Sequence, residues 1–490
     1  MPAKKPLLTK SHFTLYLQSP LELWLKVVRP DLLKPKTPEN EMRFETGRIV
    51  DDLSRELYPG GIVVEGYNEQ GAKNTQTALA GGAKILYQPT AVTEGISARA
   101  DLLVKAHGEA WDIHEVKSTT STKDEHVFDL AFQRICFEAA GFKIGKLFLT
   151  HLNNEYVRHG KIDVAKLFAE DEVTEDVNAV LEQVRELIPQ AQAVLSWPKE
   201  LAEAELVQCK DIDTDYGNVL HWLNHQEPGE RERVLKGMNP FKLSGLLEKQ
   251  DVSPDGLSKT FLSSVGYKPP EKRWPLTINE AKIKQELDAL VYPLYFYDYE
   301  TFASAVPAFD GYRPYQAIPF QFSLAVQDTP GAKPRIFDFL METFEDPVPS
   351  LIEALRANIG PKGTVISWHM GFENTRNKEM AVMHPEHADF LLDINERTFD
   401  LMQIFKKKLY VHPDFYGSAS LKNVMPALIP DLSYKNLNIQ EGGEASASWK
   451  PMTDPARPKA ERDRIRKDEI AYCRLDVMAM VRILQLLQQL

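Results

Sequence analysis

With 490 residues the chain exceeds what one ordinary core can hold, and its length predicts two to four domains. Its 43% hydrophobic, 26% charged and 10% aromatic residues are those of a soluble globular protein, and no apolar run reaches the length of a bilayer span. The formal net charge of -12 excludes a protein that coats nucleic acid through bulk counterion release, yet leaves room for an enzyme that grips DNA locally, for which the basic runs at 406–408 and 462–467 remain.

The opening "MPAKKPLLTKSHF" carries no signal-peptide core, so the expected location is cytoplasmic. Cys136, Cys209 and Cys473 lie far apart, form neither a CxxC pair nor a disulfide framework, and read as reduced thiols. From residue 8 to about 196, helical and strand patterns alternate. Residues 41–58 carry apolar side chains at helical spacing and stop at Pro59-Gly60-Gly61. "ISARADLLV" and "WDIHEVKS" are two strand-like runs, joined by a segment whose Gly108 suits a hairpin turn. Residues 126–141 predict an amphipathic helix ending at Gly141, "KIGKLFLTHL" a further strand, and residues 175–195 a long helix.

The hairpin brings chemistry with it. Asp101 and Glu115 are separated by thirteen residues, and pairing through the Gly108 turn lets them approach from adjacent strands with Lys117 on the face of Glu115. Two acids hold a divalent metal, and an ammonium steadies the attacked phosphate or the water. The plainer alternative is a surface Glu–Lys ion pair. Acid, thirteen residues, ExK, and then a helix with Gln133 and Phe137 resemble the RecB type of PD-(D/E)xK nuclease over residues 8–200. The resemblance implies that Asp101 and Glu115 ligate one or two Mg2+ or Mn2+ ions, that Lys117 is catalytic, and that Gln133 opens the Q-xxx-Y helix, with Phe137 in place of Tyr. It departs at the early helix, where Val50 and Asp51 stand near the family's metal-binding His, so that ligand is absent or replaced by Asp51. Ser19 stands near the first cysteine of the cluster-bearing relatives and only Cys209 follows the core, so no iron–sulfur cluster is expected.

Residues 201–290 show short helical patterns and read as a small helical linker domain, either a DNA-backbone-binding helical hairpin or plain packing. From 291 the pattern gives three strand-like runs ("PLYFYDYE", "IPFQFSLAV", "PRIFDFL"), a helix at about 346–359, the strand "TVISW", a helix from Glu373, the strand-like "RTFDL", a helix, an irregular stretch at 431–456 expected to be a mobile loop, and a last long helix to Leu490. Antiparallel strands followed by alternating helices and strands predict a mixed sheet flanked by helices.

In "FYDYETF" alternate residues share a face, so Asp298 and Glu300 follow Leu294 and Phe296 on one side of a core-like strand. Buried together, two carboxylates cost several kcal/mol, of that order, unless a cation compensates; at a strand end, water would do the same. Glu373 opens a helix, where the dipole alone favours an acid. Asp468, Tyr472 and Asp476 recur every four residues on one helical face, and the surroundings of Tyr472 and Asp476 look like core.

Acid-x-acid on a first strand, an acid after a strand-turn of the "HxxFE" type and Tyr-xxx-Asp on a late helix resemble the DnaQ-like (DEDD) 3′–5′ exonucleases with an RNase H-like fold, in the tyrosine subgroup, over residues 291–490. The resemblance implies Asp298, Glu300, Glu373 and Asp476 as ligands of two Mg2+ or Mn2+ ions, with Tyr472 orienting the attacking water; the family normally has Asp where Glu373 stands. Together the halves resemble a bacterial family that joins a RecB-like nuclease to a DnaQ-like domain. The expectation is an α/β protein with a restriction-endonuclease-like core in 1–200, a helical linker in 201–290 and an RNase H-like core in 291–490. The function implied is a metal-dependent nuclease acting on DNA ends, without membrane association. The competing readings are an RNA-processing exonuclease and a nucleic-acid-binding scaffold with one or both sites inactive.

Overall fold

In the computed structural model, which describes residues 6–93, 95–209 and 217–490, the chain forms two α/β units. One comprises Met1–Lys36 and Phe44–Lys268, the other Thr37–Arg43 and Pro269–Leu490. Among the described residues no helix is long and apolar enough to cross a membrane. The opening five residues and residues 210–216 of the expected helical linker lie outside the described residues.

The first unit is built on a mixed six-stranded sheet, in the order Ile62–Val63, Ile85–Tyr87, Leu102–Lys105, Ala110–Val116, Lys143–Leu152 and Phe168–Glu172. Leu102–Lys105 and Ala110–Val116 form the expected antiparallel hairpin, and Gly108 takes the left-handed φ of +69° that the turn needs. The helix Asp124–Ala139 then crosses to Lys143–Leu152, which pairs parallel with Ala110–Val116. It buries Leu130, Phe132 and Phe137 and ends before Gly141 at φ +94°. "ISARADLLV" is not one strand. Ile96–Arg99 joins a separate small sheet with Thr90–Thr93 and Leu8–Thr9, and Leu102–Lys105 joins the large one. At the break, the Gln88 N–H donates to the Asp101 carbonyl and the Ala100 N–H to the Pro89 carbonyl, so the chain turns between sheets and leaves Asp101 at the hinge. The helices between Glu203 and Ser264 share an apolar core with this unit: Leu206, Trp222, Leu235 and Phe261 belong to the cluster of Trp24 and Phe132.

The second unit has a mixed five-stranded sheet in the order Arg335–Leu340, Ile318–Gln327, Leu294–Phe302, Thr364–Ser367 and Thr398–Asp400. The first three strands are antiparallel and the last two run parallel to Leu294–Phe302, as strands followed by helix–strand alternation require. Leu294–Phe302 is central and packed on both faces. Tyr295, Tyr297 and Tyr299 meet Leu351, Ile352 and Leu355 of the helix Val348–Asn358, whereas Leu294 and Phe296 meet Val477, Met480 and Ile483 of the helix Lys459–Leu487.

The stretch expected to be a mobile loop contains a helix, Gly442–Thr453. Gly442-Gly443 and Pro451 argue against a helix locally, but Trp449 overrides them: it is fully buried, stacks on Phe320 at 5.0 Å, meets Phe302 edge-on at 5.3 Å and donates its indole N–H to the Met341 carbonyl at 2.8 Å. Trp449→Ala is therefore expected to cost about 3–5 kcal/mol, the range for emptying a buried aromatic site. Urea unfolding would show it as a large fall in midpoint; an unchanged midpoint would mean that the helix does not hold the sheet.

Candidate functional site

Past Phe296 the face of the central strand turns from apolar to acidic, with Asp298 partly buried and Glu300 7% exposed. Pairing with Ile318–Gln327 shifts register between Glu300 and Thr301, an irregularity of the kind that re-aims neighbouring side chains. On the C-terminal helix, Glu469, Tyr472, Cys473 and Asp476 recur at three- and four-residue spacing and form one stripe. Asp298, Glu300 and Cys473 present ligand-type atoms within 4.8 Å of one another. The Cys473 sulfur lies 3.6 Å from the Asp298 main-chain oxygen and 3.9 Å from its Oδ2. Asp476 accepts a hydrogen bond from the Tyr434 hydroxyl, and the rings of Tyr434 and Tyr472 lie 5.8 Å apart.

Glu373 sits in the first turn of Gly371–Met383, 2% exposed, and its Oε2 has no hydrogen-bond partner among the described residues. It stands outside the three-residue cluster, although its charge acts on Asp298. Asp468, which shares the stripe, instead accepts hydrogen bonds from Asn438 at the surface.

The acids are poorly compensated. Burial, followed by the charges of Asp476 and Glu373, pushes the Asp298 carboxyl well above the usual range. Burial, then Asp298, Asp476 and Glu469, does the same to Glu300. Burial takes Asp476 up to about 7 and Glu373 up to about 8. Lys422 opposes the rise at Glu300 and Asp476, and Arg376 at Glu373. Glu469 is fully buried, and neither of its carboxylate oxygens has a hydrogen-bond partner among the described residues. Such a cluster is stable only with protons or a cation on it, and its hard oxygen donors suit Mg2+ or Mn2+.

Asp298, Asp476 and Tyr434 open onto a cavity of about 610 Å3 whose wall includes Trp274, Trp368, Phe405, Lys408 and Lys422. Lys408 stands 5.3 Å over the Trp274 ring. His369 on the same wall holds φ +71°, its N–H bonded to Asp400, a left-handed conformation that a non-glycine residue adopts only where its surroundings impose it.

In the first unit the structure gathers Asp101, Glu115, Lys117 and Gln133, and adds partners. Asp101 Oδ2 accepts the Val116 N–H at 2.8 Å, which ties the hinge acid to the Glu115 strand. Glu115 is saturated: Lys10 lies 2.8 and 3.0 Å from its two oxygens, Lys117 2.8 Å from Oε1, and Gln133 Nε2 donates to Oε2 at 2.8 Å. Lys117 also meets Asp129 at 2.5 Å. Burial alone would raise Glu115, but the ammonium groups of Lys10 and Lys117 outweigh it and hold the carboxyl well below its usual range. Burial, then the Glu115 charge, takes Asp101 up to about 7. Asp51 shares the Gln88 amide with Asp101, at 2.9 and 3.2 Å, and pairs with Arg55 at 2.6 Å.

Helical spacing carried a signal for some partners that sequence reasoning missed. Asp129 stands four residues before Gln133, and Glu469 and Cys473 flank Tyr472 on its stripe. Lys10 and Tyr434 had none, because each arrives from a distant segment.

A domain of unknown function (DUF2779) matches residues 295–420, the stretch that carries Asp298, Glu300 and Glu373 and stops before Tyr434, Tyr472 and Asp476. The uncharacterized protein MG366 of Mycoplasma genitalium is 25% identical over 227 residues, which cover 43% of this chain and 34% of that relative. The match thus spans about a third of the relative's length.

Proposed function

We propose that the chain is a metal-dependent nuclease whose C-terminal unit removes nucleotides from 3′ ends, with an RNase H-like sheet beneath the site. One observation carries this reading: an acid-x-acid pair on the central strand of a mixed sheet faces a helix bearing Tyr472 and Asp476, at the end of an aromatic and lysine-bearing cavity. Asp298, Glu300 and Asp476 would hold the ions, with Glu373 reaching in from its helix end. Bound Mg2+ or Mn2+ supplies a water activated at neutral pH and charge stabilisation for the leaving 3′ oxygen.

The protein's own groups do the rest. Lys408 and Lys422 draw phosphates toward the cavity, and the half-buried Trp274 offers a ring on which an unpaired base stacks. Tyr434 holds Asp476 through its hydroxyl, leaving the Tyr472 hydroxyl as the group that orients the attacking water. DNA is the substrate proposed first, with RNA as the alternative for the same chemistry.

For the N-terminal unit, the hairpin acids, Lys117 and Gln133 support a PD-(D/E)xK site holding one or two ions. The saturation of Glu115 by Lys10, Lys117 and Gln133 favours a second reading for this half, a nucleic-acid-binding module whose acids are internally neutralised.

The deciding assay follows purified protein with Mn2+ on 5′-labelled single-stranded and duplex DNA and on matched RNA. The expected result is a ladder shortening from the 3′ end, on DNA before RNA. Intact substrates of every kind would sink the nuclease reading and leave the binding module.

A further inference from the structure

We propose that Asp298, Glu300 and Cys473 form a mixed oxygen–sulfur site for a thiophilic divalent ion such as Zn2+, Co2+ or Cd2+, which competes with the hard ion of the exonuclease reading; the competition, though not the binding, rests on that reading. A buried cysteine is ordinarily a small apolar filler. Cys136 and Cys209 fit that description, their sulfurs meeting the carbonyls of Ala91 at 3.4 Å and Glu205 at 3.5 Å. Cys473 is different, for its neighbours are the main-chain and carboxylate oxygens of Asp298, with Glu300 completing a group whose ligand atoms all lie within 4.8 Å. A tetrahedral ion with bonds of about 2.1 Å to oxygen and about 2.3 Å to sulfur sets those two ligands about 3.6 Å apart. The 3.9 Å between Cys473 Sγ and Asp298 Oδ2 is a small closure away from that spacing.

Glu300 supplies the independent observation. It is 7% exposed, yet its carboxylate accepts no hydrogen bond from any described residue, and the charges acting on it are Asp298, Asp476 and Glu469 with Lys422 in opposition. A carboxylate buried among acids lacks a cation, and the sulfur beside it decides which cation. Thiolate prefers the softer ions over Mg2+ and Mn2+, so Cys473 shifts the selectivity of a site that carboxylates alone would leave hard. Binding is an exchange in which the incoming ion takes the proton's place on the Cys473 sulfur, the S–H bond breaking as the S–metal bond forms, and the proton leaves to solvent.

The test is a titration of metal-free, full-length protein with Co2+, read by thiolate-to-cobalt charge-transfer absorption in the near ultraviolet. Wild type is expected to develop a saturable band that Zn2+ bleaches. Cys473→Ser and Cys473→Ala should lose the band, Cys136→Ser and Cys209→Ser should keep it, and Asp298→Asn should weaken Co2+ binding by about tenfold or more. Absence of a band in wild type, or its persistence in both Cys473 variants, overturns the proposal. Nucleotide release with Mn2+ but no cobalt band would remove the mixed site and leave the exonuclease reading standing. A band without release would do the reverse.

Discussion

Asp298→Asn is expected to abolish Mn2+-dependent release of 3′ nucleotides while making the metal-free protein more stable at pH 8. Asp298 is the acid that the others surround: it borders Cys473, feels Asp476 and Glu373, and faces the cavity. Removing one ligand charge from a metal site that supplies several kcal/mol of transition-state stabilisation slows the reaction by about 10³-fold or more. The stability effect runs the other way, because the ionised carboxylate is buried among like charges. A carboxyl with a folded-state pKa above its unfolded value binds more protons when folded, so its contribution falls as pH rises from the unfolded through the folded value, from 3.8 to about 7 for Asp476 and from 4.5 to about 8 for Glu373. The gain from Asp298→Asn should therefore be larger at pH 8 than at pH 5. At about 1 kcal/mol it would raise the midpoint of a domain of this size by about 2–4 °C. Thermal melts with EDTA and with Mn2+ check both halves, since Mn2+ should stabilise wild type and not the variant. A variant that melts lower without metal, or digests at the wild-type rate, would remove Asp298 from the proposed centre.

Glu115→Ala should do the opposite to its unit and destabilise it by about 2–3 kcal/mol. Breaking a buried ion pair from one side costs about 3–5 kcal/mol. The lower figure applies here because the side chains of Lys10 and Lys117 keep 22% and 21% of their exposure and Lys117 retains Asp129. Lys10 is left near Asp129 without its direct partner, so a second change, Lys10→Met, should recover part of the loss. Urea midpoints of the single and double variants give the coupling directly. Additive effects would mean that Lys10 does not lock Glu115. The two acidic centres thus differ in kind: in the N-terminal unit lysines neutralise the acids, and in the C-terminal unit the acids outnumber the cations near them.

Much of this was legible from local pattern. The hairpin through Gly108, the crossover helix ending at Gly141 and the three antiparallel strands followed by parallel ones are written in periods of two and 3.6 residues, which depend on neighbours in the chain. The strand break at Asp101 was hidden because "ISARADLLV" is apolar enough for one strand. What divides it is pairing to two different sheets. The helix at Gly442–Thr453 was hidden by glycines and a proline whose local cost the burial of Trp449 outweighs.

The sequence by itself determined which residues could carry chemistry and on which face of their own element they stand: Asp298 with Glu300, Tyr472 with Asp476, Glu115 with Lys117. Only the tertiary structure decided how those charges are balanced. It brought Lys10 to Glu115, Tyr434 to Asp476 and Cys473 to Asp298, and among the described residues it left an oxygen of Glu373 and both carboxylate oxygens of Glu469 without a hydrogen-bond partner. The reason is physical. Side-chain periodicity follows from backbone geometry within one element, whereas desolvation and charge pairing depend on which distant segments the fold packs against it.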